Sequence, residues 1–273
     1  MAPVAAALGA HEDAVETRVA LTGQHTTLVD QVLGVFDLHV DYDLGIMKAG
    51  QTLYDVVHEA LDGIRGLIQD FEPDVLLVQG DTATVFASSL AAFFEGVRVG
   101  HVEAWLRSGD KSAPFPEEVL RRLTDVLADF YFAPTPRAAE ILRAENVPPD
   151  RIYVTANTVV DALLGVERHD RPIADDTLRA AVDDDVRRLV VLTAHRRESF
   201  GPPLRDVFGA VRRLADDIDD VIVVYPVHPN PNVRAPAEEL LSKHPRIRLT
   251  DPVDYFDLVA ALRSASLVLT DSG

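Results

Sequence analysis

Cysteine is absent from all 273 residues. That excludes a disulfide framework, a thiolate metal site and a cysteine nucleophile. Lysine is scarce: Lys48, Lys111 and Lys243 stand beside an arginine majority, and 26 basic residues face 44 acidic ones, for a net charge of −18. Such a surface repels nucleic-acid phosphates and anionic lipid, and no local basic patch offsets it. An acid excess with little lysine fits either a protein adapted to high salt or an arginine-rich coding bias on an ordinary acidic surface. No apolar run approaches the roughly 20 residues that span a bilayer. The apolar start, Met1 to Leu8, lacks a basic leader and gives way at Gly9-Ala10-His11-Glu12-Asp13, so a cytoplasmic chain is expected. Two nucleotide signatures are missing as well. No G-x-G-x-x-G follows an apolar run, and no G-x-x-x-x-G-K-[ST] occurs, which argues against the usual nicotinamide fingerprint and against a P-loop.

What is present is an alternation of short β-branched runs and longer helical stripes. Val19-Ala20-Leu21 opens it, and Thr22-Gly23 breaks that run. Leu53, Val56, Val57, Ala60, Leu61, Ile64, Leu67 and Ile68 recur at the spacing of one helix face, and Glu72-Pro73-Asp74 ends the stripe. Val75-Leu76-Leu77-Val78 reads as a strand buried on both faces. Val97 to Val102, Phe130-Tyr131-Phe132 and Ile152-Tyr153-Val154 follow, with helices predicted between them, one opened by Pro116 with Glu117-Glu118 behind it. The rhythm breaks from about Val166 to Asp185, where a linker with some helix near Leu178 is expected. It then resumes with strands at Leu189–Leu192, Val221–Val224, Ile247–Leu249 and Leu267–Leu269, and helices at Leu204–Leu214, Ala237–Leu241 and Tyr255–Leu262. Strand–helix alternation on both sides of a linker predicts an α/β protein of two Rossmann-like, doubly wound domains, residues 1–167 and 168–273.

Ligands of such sheets lie beyond the carboxyl ends of the strands. The residues there are Asp81, Glu103, His195, His228 and Asp271-Ser272-Gly273, and they predict a ligand cleft between the domains. Each has a plainer reading. Asp81 before Thr82 suits a helix N-cap, Glu117 suits the first turn of a helix, and His195-Arg196-Arg197-Glu198 suits a solvated, ion-paired face. Glu103 is harder to read as structural, because an acid directly after an apolar strand sits poorly in a core.

Eight segments in order carry a resemblance. They are Thr22-Gly23-Gln24-His25; Gln79-Gly80-Asp81-Thr82; Gly100-His101-Val102-Glu103-Ala104; Pro114-Phe115-Pro116-Glu117-Glu118 with Arg121-Arg122; Asn157-Thr158-Val159-Val160-Asp161-Ala162-Leu163; Thr193-Ala194-His195-Arg196-Arg197-Glu198; Tyr225-Pro226-Val227-His228-Pro229-Asn230-Pro231-Asn232-Val233; and Leu269-Thr270-Asp271-Ser272-Gly273. Together they resemble the non-hydrolysing UDP-N-acetylglucosamine 2-epimerases over essentially the whole chain.

The resemblance implies a glycosyltransferase-B-like arrangement and the interconversion of UDP-N-acetylglucosamine and UDP-N-acetylmannosamine. The route it implies is elimination of UDP to 2-acetamidoglucal and re-addition with the opposite configuration at C2. No cofactor and no metal are implied, and the complete protein is expected to be a homodimer supplying a surface-polysaccharide precursor. Asp81, Glu103, Glu117 and His195 match catalytic positions. Arg107, Arg196, Val253, Leu258, Ser272 and Gly273 match substrate-binding positions, and Gln24, His25, Gln51 and His228 match a second nucleotide-sugar site.

The chain departs from the pattern as well. The family's preceding strand with Gly-Thr-Arg-Pro-Glu and its continuation past the final glycine are not present, so a chain truncated at both ends is expected. Trp105 and Ala156 stand where relatives have glycine, and Leu258 where they carry an aromatic residue. An indole beside Glu103 is expected to intrude on the sugar pocket, or else to sit outward. The alternatives are an inactive fragment or UDP-binding module of that family, and a glycosyltransferase of the same architecture.

Overall fold

Continuous apolar runs such as Val221–Val224 need cover on both faces, and parallel sheets flanked by helices provide it. The computed structural model describes residues 1–23, 29, 33–34, 36–48, 50–166, 171–196 and 199–271. It divides into two compact units, Met1–Gly165 and Val166–Gly273.

The first unit begins with a helix, α1 (Ala2–Gly9). Two short strands follow, β1 (Ala20–Leu21) and β2 (Tyr42–Asp43), paired in parallel. The long stripe becomes α2 (Leu53–Phe71), opened by a capping box in which Thr52 and Asp55 satisfy each other's backbone N–H groups. It ends where Glu72 turns to φ +51°. On its buried face, Val56 and Ala60 pack with Ala83 and Ala87 of the next helix, while Ile64, Leu67 and Ile68 join the core with Val78 and Val99. Then come β3 (Val75–Gln79), α3 (Ala83–Phe94), β4 (Arg98–Val102), α4 (Glu117–Leu127), β5 (Phe130–Ala133), α5 (Pro136–Ala144), β6 (Ile152–Val154) and α6 (Thr158–Val166). The four strands β3-β4-β5-β6 lie in that order, all parallel.

Gly100, in β4, has a steric reason to be glycine. A Cβ there would come within 2.5 Å of Leu77 Cδ2, so the sheet layer closes over it. A cavity of about 510 Å³ lies along β3 and β1, lined by apolar side chains including Val19, Leu67, Phe71 and Val75.

The second unit holds α7 (Asp176–Val182), β7 (Arg188–Thr193), α8 (Pro202–Asp217), β8 (Val221–Pro226), α9 (Pro231–Leu241), β9 (Ile247–Thr250), α10 (Tyr255–Ser264) and β10 (Leu267–Thr270). Its sheet runs β10-β7-β8-β9, again all parallel. Leu204, Phe208, Val211 and Ala215 are buried along α8, and Leu178 and Ala181 on α7 pack with Val191, Ile222 and Val224 on another side of the strands. The Asp257 carboxylate, buried on α10, accepts the backbone N–H groups of Ala174 and Asp175 and so anchors the segment leading into α7. Helix α9 starts six residues before its expected limit. Asn230 caps it, and it tolerates Pro236 at the loss of one backbone bond. No described helix is long and apolar enough to cross a membrane.

Candidate active site

In the first unit the strand exits gather the predicted carboxylates. Gln79, the last residue of β3, pairs in register with Val102, the last of β4. Asp81 and Glu103 therefore leave the sheet side by side. Gly80 makes the turn at φ +90°, a conformation glycine adopts without steric cost. The N-cap of α3 is Thr82, whose hydroxyl accepts the Val85 N–H. Asp81 is thereby released from the capping role its position suggested, and its carboxylate meets Arg121 Nη2 instead.

Arg121 is the hub of this end of the unit. Its Nη1 donates to the Leu106 carbonyl at 2.7 Å and to Glu118 Oε2 at 3.2 Å, while its Nη2 holds Asp81. The buried Glu118 carboxylate also accepts the Ser108 N–H at 2.9 Å. Burial alone would raise its pKa; the Ser108 hydrogen bonds and Arg121 outweigh that and hold it below the usual range. Glu117 begins α4 as a first-turn acid, half-buried, next to this pair.

Glu103 has φ +63°, an uncommon backbone for a side chain of this kind. Its two oxygens are held separately: Oε1 accepts the Asn157 amide at 2.9 Å and Oε2 the Gln79 amide at 3.3 Å. Gln79 also donates to Thr158 Oγ1 at 3.1 Å, which ties β3 to the start of α6. Two further residues nearby carry positive φ, Trp105 at +91° and Ala156 at +62°. Backbone strain of this sort concentrates at functional sites. The indole of Trp105 packs against the hydrophobic core of the first unit, with its Nε1 buried and unpartnered among the described residues.

Arg107 gives its guanidinium to carboxylates, Nη2 to Asp125 at 2.7 Å and Nε and Nη2 to Glu145 at 3.0 and 2.6 Å. Burial pulls its pKa down, and these bonds more than restore it. Gln51 spans the loop before α2, accepting the Lys48 N–H at 2.6 Å and donating to the Ile46 carbonyl at 2.7 Å.

In the second unit the exits of β7, β8 and β10 converge. The Asp271 carboxylate accepts the backbone N–H groups of His195 at 3.0 Å and Arg196 at 2.8 Å. The exposed rings of His195 and His228 stack at 5.6 Å with 9° between their planes. The Tyr225 hydroxyl, whose pKa burial pushes up, donates to the Ala194 carbonyl and props this loop from beneath. Val253 packs against the cluster around Leu178, and Leu258 is half-buried on α10.

The model of the UDP-N-acetylglucosamine 2-epimerase family matches residues 7–273. The chain is similar to the UDP-N-acetylglucosamine 2-epimerase of Yersinia pestis, 45% identical over 279 residues that cover 100% of this chain and 73% of that one. It is similar to that of Escherichia coli K12, at 43% over 280 residues, with 100% and 73% covered. Among solved structures it is similar to the UDP-GlcNAc 2-epimerase from Neisseria meningitidis bound to UDP-GlcNAc, with a TM-score of 0.89, 38% identity, and 100% and 74% of the two chains covered. The chain belongs to the UDP-N-acetylglucosamine 2-epimerase family.

Within this family member the geometry adds residues that the sequence reading did not single out. Gln79 and Asn157 lie inside quoted motifs, but their joint grip on Glu103 is a tertiary fact. Arg121, to which the resemblance gives no role, is the partner of Asp81. His195 and His228, which the resemblance matches to two different sites, stack on each other in the fold. Gln24, His25, Ser272 and Gly273 lie outside the described residues.

Proposed function

We propose that this chain carries the 2-epimerase chemistry of its family, interconverting UDP-N-acetylglucosamine and UDP-N-acetylmannosamine by eliminating and re-adding UDP. The observation that supports it is Glu103: a carboxylate at a strand exit, on a positive-φ backbone, with both oxygens fixed by amide donors. Elimination requires a group that takes the C2 proton and groups that offset the charge of the departing diphosphate. Glu103, Asp81 and Glu117 supply the carboxylates at the first unit's strand exits. His195 and Arg196 supply contacts for the diphosphate at those of the second. UDP leaves with the C1–O electron pair, the proton from C2 goes to a carboxylate, and a C1–C2 double bond remains. UDP then re-adds to C1 on the face it left while a proton is delivered to C2 from the opposite face, which inverts C2 alone. No redox change occurs, so no hydride carrier enters the scheme.

The test is incubation with UDP-N-acetylglucosamine in D2O, following deuterium at C2 and the appearance of UDP-N-acetylmannosamine. Exchange in the wild type that is lost in Glu103→Gln, Asp81→Asn and Glu117→Gln supports the reading. Turnover unaffected by all three sinks the site assignment, and no exchange in the wild type sinks the activity. A dimer of the complete protein and a cytoplasmic location belong to the same proposal. Sedimentation and cell fractionation are the corresponding measurements.

A further inference from the structure

His101 lies on β4 with its side chain fully buried, one strand away from Asp81. Its ring meets an acceptor at each end. Nδ1 is 2.6 Å from Asp125 Oδ1, and Nε2 is 2.9 Å from the carbonyl oxygen of Gly80. A neutral imidazole has one N–H and one bare lone pair, so either tautomer would set a lone pair against an acceptor here. The Gly80 carbonyl has no proton to give. Protonating Asp125 would relieve one contact, but its other oxygen receives Arg107 Nη2 at 2.7 Å, which favours the carboxylate. A ring protonated on both nitrogens satisfies every group.

The surroundings accommodate that charge. From β4 outward the groups run His101, Asp125 of α4, Arg107 of the loop between β4 and α4, and Glu145 at the end of α5. With the ring protonated their charges alternate and cancel. Tyr131 of β5 also packs here and donates to the backbone carbonyls of Asp125 and Ala128. Its hydroxyl is pushed up to about 12, by burial first and then by Asp125, and stays neutral.

The Gly80 carbonyl belongs to the peptide that joins Gly80 to Asp81, and Gly80 stands at φ +90°. We propose that His101 is a positioning residue: a buried imidazolium, braced by Asp125, that clamps the Gly80–Asp81 peptide and so aims Asp81 at the substrate. Arg121 fixes the Asp81 carboxylate from one side, and His101 fixes its backbone from the other. The clamp is a claim about the fold; its effect on turnover rests on the reading of Asp81 given above.

Two measurements on the whole chain test it. The first is nitrogen NMR of the wild type with labelled histidine, the His101 ring assigned through its own backbone. Both ring nitrogens are expected to carry protons in the folded chain, since each faces an acceptor. A bare ring nitrogen overturns the proposal, and this arm depends neither on catalysis nor on any variant folding. The second compares His101→Gln with the double variant His101→Gln/Asp125→Asn. Glutamine keeps a donor toward Gly80 but turns its oxygen on Asp125, and asparagine supplies the missing donor. His101→Gln is expected to shift the Asp81 backbone resonance and to lower kcat about tenfold or more with KM little changed. The double variant is expected to restore both. A double variant no better than the single one overturns the clamp, because a merely space-filling ring would gain nothing from it. Failure of the wild type to exchange C2 would defeat the epimerase reading, while the NMR arm and the Asp81 resonance still decide the clamp.

Discussion

Asn157 donates its side-chain amide to Glu103 Oε1 at 2.9 Å, a bond that joins the start of α6 to the exit of β4 across 54 positions of the chain. It fixes one carboxylate oxygen while Gln79 fixes the other. Asn157→Ala is therefore expected to leave the fold in place and to lower kcat for C2 exchange by about tenfold to a hundredfold, as small misplacements of a reacting group do. Rate measurements beside a melting curve check it. An unchanged kcat would show that Gln79 alone is enough.

Arg121 connects Asp81, Glu118 and the Leu106 carbonyl. Arg121→Met is expected to destabilise the first unit by about 3 kcal/mol, because it leaves a buried carboxylate without its cation. Arg121→Lys is expected to recover little of this, since an ammonium cannot present the planar fork to three acceptors. Denaturant titration of both variants gives the comparison.

Glu118 sets a pH dependence whose sign follows from its depressed pKa. The group binds a proton more readily unfolded than folded, so its contribution is present above the ordinary value of 4.5 and is lost as pH falls through the folded value. Glu118→Gln is expected to cost about 2 kcal/mol near neutral pH, and the gap to the wild type should close as pH falls below that ordinary value. A gap that stayed constant with pH would assign the loss to packing.

Trp105 and Ala156 both stand at positive φ, and the same replacement should move them in opposite directions. Ala156→Gly removes a steric cost and little else, so a gain of about 1 kcal/mol is expected. Trp105→Gly removes a similar strain, but it also strips an indole from the core, a loss of about 3 kcal/mol. The net is a less stable protein. Thermal unfolding of the two variants decides this, and a stabilised Trp105→Gly would show that the indole contributes no packing.

The elements were legible where one segment decides its own structure. The stripe from Leu53 to Ile68, the stop at Glu72-Pro73 and the runs at Val75, Val190 and Val221 each state a period or a break that packing then confirms. The place of Asp81 and Glu103 just beyond the ends of β3 and β4 was legible too, because each follows an apolar run. What holds those carboxylates was not. Arg121 lies 40 residues from Asp81, and Asp125 lies 24 residues from His101. No periodicity encodes which helix residue will face which strand end. Capping was misleading at one position: Asp81 and Thr82 are both good caps, and only the backbone shows that Thr82 takes the role.

The Asp271 carboxylate, which gathers the N–H groups of His195 and Arg196, also has a consequence in time. A chain made from its N-terminus releases β7 and the loop after it long before residue 271 leaves the ribosome. Until residue 271 emerges, 76 positions on, the His195 loop lacks its acceptor, so it can take its native course only after β10 has docked beside β7. The His195 loop is thus assembled only after β10, and a nascent chain halted between Pro226 and Thr270 should carry a folded first unit and an unformed His195 loop.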